Sequence, residues 1–333
     1  MYQRQGNKAF KKTLKNIEAF MSYLDNPHHQ FKSIHIAGTN GKGTTAHLLS
    51  AILQSNGLKV GLYTSPHYKD FRERIKLNGA LAPKKFITQF VKKHRAFIKQ
   101  QEPSFFEITV AMAFEYFKEE KVDIAVIETG LGGRLDSTNV IKPLLSVITN
   151  ISFDHEAMLG NTLPKIAKEK AGVIKRSTPV VIGEYQREVA YVFKSKAQQL
   201  KAPIYFASKS IYVRQTKTDL AYSYFRIKYR GGKEQSLKLN AHGSFQSKNV
   251  ATALKAIEVL NDSKAFKITK AAIVKGAKEL KSLTNYQGRW QILDKEPLII
   301  ADSGHNEEGI KTNINLILKE HVDQIHFVLG FVN

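Results

Sequence analysis

A short apolar run, Lys32–Ala37, opens directly into Gly38-Thr39-Asn40-Gly41-Lys42-Gly43-Thr44. A segment with helical spacing follows, apolar at Leu48, Leu49, Ile52 and Leu53, and Gly57 sits where a helix C-cap is expected. A strand that passes through a glycine turn into an amphipathic helix is the opening of a parallel α/β unit. The pattern then repeats. Lys59–Tyr63, Asp123–Ile127, Leu145–Thr149 and Val180–Ile182 read as strands, with helices over Phe105–Glu120 and Leu163–Ala171. Buried β runs separated by helices predict a doubly wound parallel sheet.

Further along, the pattern changes. Ile204–Phe206, Ile211–Arg214, Tyr222–Tyr229 and Gln235–Leu239 read as short strands around Gly231-Gly232, and predict an antiparallel insert or side sheet. Helices are expected over Ser247–Leu260 and Thr269–Leu280, with Ser282–Tyr286 as a linker. A new α/β unit then begins near Arg289. Its strands are Trp290–Leu293 and Leu298–Ala301, its helix Glu307–Glu320, and its next strand Ile325–Leu329. The expected division is a first domain over 1–283 and an incomplete Rossmann-like α/β domain over 288–333. The length of 333 residues fits two domains at roughly 100–200 residues each.

With no cysteine, a disulfide framework is excluded, and a reducing cytoplasm is the expected setting. No apolar stretch reaches the roughly 18 residues of a membrane span, and no signal-peptide core follows Met1, so no membrane partner is expected. The net charge of +22 admits an anionic partner such as ATP, a polycarboxylate or nucleic acid. It equally admits a solvated basic surface, and the even spread of lysines favours that reading.

The glycine-rich turn has the parts of a phosphate cradle. Glycines let backbone N–H groups approach, the helix N-terminus favours negative charge, and Lys42 adds a point charge. Thr44 or Thr45 could offer a hydroxyl to a phosphate or its Mg²⁺. The standard Walker spacing is not met, because Ile36 stands where its first glycine belongs and Gly43 separates Lys42 from Thr44.

Gly38–Thr44 resembles the phosphate loop of the Mur-ligase superfamily in the form used by folylpolyglutamate/dihydrofolate synthases. The resemblance continues through Tyr63-Thr64-Ser65-Pro66-His67, Phe71–Ile75, Glu128–Asn139, Asp154-His155, Glu169–Gly172, Gln246 with Asn249, Gly288-Arg289, and Asp302 with His305-Asn306. It implies an ATP-dependent ligase that joins L-glutamate to dihydropteroate or a tetrahydrofolate through an acyl phosphate, acting as a monomer without nucleic acid. It also implies that segments of such a protein precede and follow this chain.

The same resemblance assigns roles. Gly38, Thr39, Asn40, Gly41, Lys42, Gly43 and Thr44 would hold the ATP phosphates. Gln246, Asn249, Arg289, Asp302 and His305 would hold the rest of the nucleotide. Lys42, Lys170, Asp302 and His305 would be catalytic. Ser65, Glu128, His155 and a carbamylated Lys170 would ligate two Mg²⁺ ions. Arg72, Arg74 and Asp136 would face the acid substrate. Read without the resemblance, Glu128 is equally a strand-end carboxylate in an ion pair or cap, His155 a packed or capping residue, and Lys170 an exposed helix lysine. The aromatics of Phe105-Phe106-Glu107 are expected in a helical core. Other readings kept open are a different Mur-type amide ligase, a nucleic-acid-dependent ATPase, and an inactive binding module.

Overall fold

The structure is a computed structural model that describes residues 13–219, 221–243, 245–304, 306–318 and 324–330. Eight strands form one sheet: β1 (Lys32–Ala37), β2 (Val60–Tyr63), β3 (Ile75–Leu77), β4 (Ala80–Leu81), β5 (Ile124–Glu128), β6 (Leu145–Ile148), β7 (Val180–Ile182) and β8 (Ile204–Phe206). Their order is β4-β3-β2-β5-β1-β6-β7-β8. All pairings from β2 to β8 are parallel; β3 and β4 extend that edge antiparallel.

Side-chain alternation explains the layers. On β1 and β5, Ile34, Ile36, Ile124 and Val126 point to one face, where helices Lys42–Ser55, Gln246–Asp262 and Lys270–Lys278 bury them. The intervening Ala125 and Ile127 point to the other face, under helices Lys15–Tyr23 and Phe105–Glu119. Ala37 and Ile148 on that side join β7 beneath helices Leu163–Lys170 and Ala190–Gln199. None of the described helices is long and apolar enough to cross a membrane.

Strands β9 (Ile211–Thr218), β10 (Ser223–Tyr229) and β11 (Glu234–Leu239) make the expected antiparallel side sheet. Its inward residues Phe225, Ile227, Leu237 and Leu239 join the same core as the phosphate-loop helix. Strands β12 (Gln291–Lys295) and β13 (Leu298–Ala301) form a hairpin that leads into helix Glu307–Ile317.

Three expectations are corrected. Ile204–Phe206 is not part of the insert: it pairs in parallel with β7 as the last strand of the main sheet. The helix Ala190–Gln199 supplies the crossover that this pairing requires. Ser282–Tyr286 is not a free linker, because Leu280–Thr284 is helical and Thr284 and Tyr286 are buried. Ile325–Leu329 is not in a strand.

Candidate active site

The carboxyl ends of β1, β5 and β6 converge on the phosphate loop, at the edge where ligands of open α/β sheets bind. Gly38 leaves β1 with φ +144°, and a Cβ there would fall 1.9 Å from Thr149 Oγ1 on the β6 side. Asn150 grips the loop twice: its carbonyl accepts from Thr39 N at 3.0 Å, and its Oδ1 from Asn40 N at 2.8 Å. Lys42 Nζ folds back to donate to the carbonyls of Gly38 and Thr39, both at 3.0 Å. Lys170 Nζ donates to the same Gly38 carbonyl at 2.8 Å. Two lysines therefore converge on one backbone oxygen.

Lys170 is not the exposed helix lysine that spacing alone allows. It is 2% exposed. Burial first, and then the neighbouring Lys42, push its ammonium down to about 7. Glu128 closes β5 and is 3% exposed. Burial pushes its carboxyl up to about 7, with Lys42 the largest opposing influence. Its Oε2 accepts from Ser65 N at 3.2 Å. His155 follows Asp154 with φ +48°, and its Nε2 lies 3.6 Å from Asp154 Oδ1.

These groups share one cavity of about 540 Å³, lined by Lys42, Ser65, Arg74, Glu128, Asp136, His155 and Lys170 among others. One wall is aromatic. Phe105 and Phe106 line this cavity, because the capping box of Ser104 and Glu107 starts their helix at the cavity rim; Phe106 also packs against the core, as expected, and Phe105 does not. The Arg74 guanidinium sits 5.7 Å from the Phe105 ring centroid, and its Nε donates to His67 Nδ1 at 2.9 Å.

Asp136 lines the cavity too, but its oxygens serve the wall. They accept from Leu131 N at 2.8 Å, from Thr138 N at 3.0 Å and from the Thr138 hydroxyl. The Thr138 hydroxyl is also 2.8 Å from His35 Nε2. Since Thr138 donates to Asp136, His35 must donate to Thr138. Burial holds this histidine neutral, down to about 3. Arg72 does not line the cavity: its side chain is held by Asp70 at 2.7 Å.

A second cavity of about 200 Å³ adjoins the first, and Gly41, Thr44 and Arg289 line both. It holds Asn40, Asn249 and Asp302 together with Phe245, Glu184 and Asn306. Gln246 is fully enclosed and does not line it; its Oε1 accepts from Asn249 Nδ2 at 2.9 Å and so orients that amide. Asp302 braces the hairpin, accepting from Trp290 N at 2.7 Å and from Gly304 N at 2.7 Å. Arg289 Nη1 lies 3.6 Å from Asp302 Oδ1. His305 falls outside the described residues.

The segment that reads as a linker is bound to the loop helix. Thr44 Oγ1 is 2.8 Å from Tyr286 OH, and His47 Nδ1 is 2.8 Å from Thr284 Oγ1. Lys76 Nζ donates to the Asn285 carbonyl at 3.1 Å, and Asn306 Nδ2 donates to Asn40 Oδ1 at 2.9 Å. Lys76, Tyr286, His47 and His35 carry no sequence signal of their own. Lys76 lies in β3 with one extended residue between it and Arg74, which closes the 3-10 turn Phe71–Arg74, and so falls on the cavity face.

Residues 36–257 match the Mur ligase middle domain, so the fold and the site define a Mur-type ligase core. The dihydrofolate synthase/folylpolyglutamate synthase of Bacillus subtilis is 36% identical over 90% of this chain and 71% of that protein. The crystal structure of folylpolyglutamate synthase from Thermotoga maritima, 36% identical, superposes with a TM-score of 0.82 over 92% of this chain and 70% of that one. A solved FPGS–AMPPCP–folate complex, 34% identical, reaches 0.86 over 95% of this chain and 78% of that one. The chain belongs to the dihydrofolate synthase/folylpolyglutamate synthase family.

Proposed function

We propose that this chain joins L-glutamate to dihydropteroate, to a tetrahydrofolate, or to both, with cleavage of ATP to ADP and phosphate. The observation that carries the reading is one cavity that joins a phosphate loop, a buried carboxylate and an aromatic wall with a cation set on it. The solved relative with AMPPCP and folate supports the pairing of these two ligands. On this reading residues 1–283 bind the nucleotide and the acid, and 288–333 begin the glutamate-side unit. The second cavity takes the nucleoside, between Asn249 and the segment of Arg289 and Asp302. The enzyme works as a monomer, without nucleic acid, in the cytoplasm.

The acid lies with its ring against Phe105 and its carboxylate toward Lys42. A carboxylate oxygen attacks the γ-phosphorus, the bond to the β–γ bridging oxygen breaks, and ADP leaves. The amine of glutamate then attacks the acyl carbon; phosphate leaves and the amine loses a proton. Lys42 balances the negative charge that gathers on the transferred phosphoryl oxygens.

The residues fit Mg²⁺. Glu128 is a buried carboxylate that burial pushes up to about 7, and a dication beside it would favour its charged form. Among the described residues no three His, Asp or Glu side chains gather into a closed cage. That suits an ion that keeps water and takes one or two carboxylates. Ser65 and Glu128 would hold one ion, and His155 with a carbamylated Lys170 a second. When bound, Mg²⁺ neutralises phosphate charge. Lys170 suits carbamylation because an enclosed amine pushed down to about 7 is substantially in its free, nucleophilic form at neutral pH.

The test is release of ADP and phosphate that depends on glutamate and Mg²⁺, with dihydropteroate and tetrahydrofolate offered separately. Turnover with one acid names the branch, and turnover with both makes the enzyme bifunctional. Turnover with neither, in folded protein that still binds ATP, would assign it to another Mur-type ligation. Native mass spectrometry in bicarbonate buffer should show one CO₂ adduct that Lys170→Arg abolishes; an unmodified mass would remove the carbamate.

A further inference from the structure

Arg289 lines both cavities, so its guanidinium stands where the two sites meet. A long, flexible side chain serves a phosphate best when its fork is already aimed. The backbone on either side of it is strongly shaped. Gly288 has φ +77° and Trp290 φ +42°. The second value is one that a bulky residue holds only when its surroundings impose it. The bond from Trp290 N to Asp302, and one from Gly288 N to Gln291 Oε1 at 2.9 Å, keep this shape.

One hydroxyl joins the parts. Ser303 Oγ donates to the Gly288 carbonyl at 2.7 Å. Arg289 Nη1 donates to the same Oγ at 2.9 Å, and Tyr68 OH lies 2.9 Å from it. A serine hydroxyl has a single proton. The Gly288 carbonyl takes that proton, so Tyr68 must donate, and Ser303 accepts from both Tyr68 and Arg289. Tyr68 also meets the segment by shape, because a Cβ on Gly288 would fall 2.1 Å from its ring. Its own loop, between β2 and β3, is pinned: the N–H groups of Tyr68, Lys69 and Asp70 donate to the Glu73 carboxylate at 2.7, 3.0 and 2.8 Å. A fixed loop thus reaches a residue 235 positions away, at the oxygen that holds the guanidinium.

We propose that Ser303 and Tyr68 are positioning residues, whose shared hydroxyl contact aims Arg289 across the boundary of the two cavities at the phosphates of the nucleotide. The proposal rests on the ligase reading above, and adds that the acid-side loop helps to set a nucleotide-side cation. Each hydroxyl acts through Arg289 and needs no contact with a reacting atom. Without the serine oxygen, Nη1 keeps Asp302 Oδ1 at 3.6 Å as its neighbour. The guanidinium would then turn toward that carboxylate and away from the phosphates.

The experiment is a double-mutant cycle between Ser303→Ala and Arg289→Met, with Tyr68→Phe and Ser303→Thr as further variants. KM is measured separately for ATP and for the acid, and each preparation is melted. Ser303→Ala should lower kcat/KM for ATP about tenfold, the loss of one hydrogen bond to a charged group. Tyr68→Phe should lower it by a smaller factor. KM for the acid should stay within about twofold, and Ser303→Thr, which keeps the hydroxyl, should recover most of the loss. On the Arg289→Met background, Ser303→Ala should cost nothing further, because the group it positions is gone. An equal loss on both backgrounds marks a structural staple and overturns the proposal, as does unchanged ATP kinetics in Ser303→Ala or an equal rise in KM for the acid. If the wild type turns over neither acid, the ligase reading falls by itself, and calorimetry with AMPPCP decides the positioning. Ser303→Ala should weaken AMPPCP binding about tenfold when Arg289 is present and not when it is Met. Equal weakening in both, or none in either, would sink it.

Discussion

Lys42→Met is expected to lower kcat by about 10²–10³, the usual loss when one preorganised group facing transition-state charge is removed. The fold should survive. Lys42 Nζ makes its hydrogen bonds to two carbonyls of its own loop and is part-exposed, so no described core contact depends on it. KM for the acid should change less than kcat, because its ring would still rest on Phe105, beside which Arg74 sits. Steady-state kinetics and a melting curve on the same preparation check both halves. A variant that keeps more than about a third of wild-type kcat would remove Lys42 from the chemistry.

Gly38→Ala should act through shape rather than charge. The new methyl would meet Thr149 Oγ1 at 1.9 Å, and φ +144° is a region that L side chains rarely adopt. Something must shift, and what shifts includes the carbonyl on which Lys42 and Lys170 converge. Strain of about 1–3 kcal/mol is expected, together with loss of measurable ATP binding. The double variant Gly38→Ala/Thr149→Ser separates the causes only weakly, because serine keeps the oxygen; Gly38→Ala/Thr149→Ala removes it. Partial return of ATP binding in the latter, by calorimetry, is the expected result. Unchanged binding in Gly38→Ala alone would mean that the loop geometry does not govern the nucleotide.

The parallel core was legible because β1, β5 and β6 are buried on both faces and read as mostly apolar runs, broken within only by Ser33, His35 and Ser146. β8 was misassigned because Ile204–Phe206 is only half-buried, and three residues at a sheet edge carry no pattern that tells parallel from antiparallel pairing. The linker was misread for a related reason. Ser282–Tyr286 looks polar, yet its hydroxyls and backbone are taken up by Thr44, His47 and Lys76, and those partners lie over 200 positions away in the chain. In the site, the loop glycines, Lys42 and Glu128 announced themselves by position at strand ends. Arg72 and Arg74 were indistinguishable in sequence. Only the fold shows that Asp70 claims the first and the cavity receives the second. Phe105 was read as core because the sequence does not reveal which side of a helix start meets open space.

The bonds from Asp136 to Leu131 and Thr138, backed by His35, have a thermodynamic consequence. Fixing a free backbone costs about 1–2 kcal/mol per residue. The stretch from 130 to 139 is already fixed by groups that belong to the protein alone, so that entropy is lost during folding rather than when an acid enters. Binding free energy at this wall is then spent on the fit of the guest, and a poorly shaped acid cannot recover its deficit by remoulding the host.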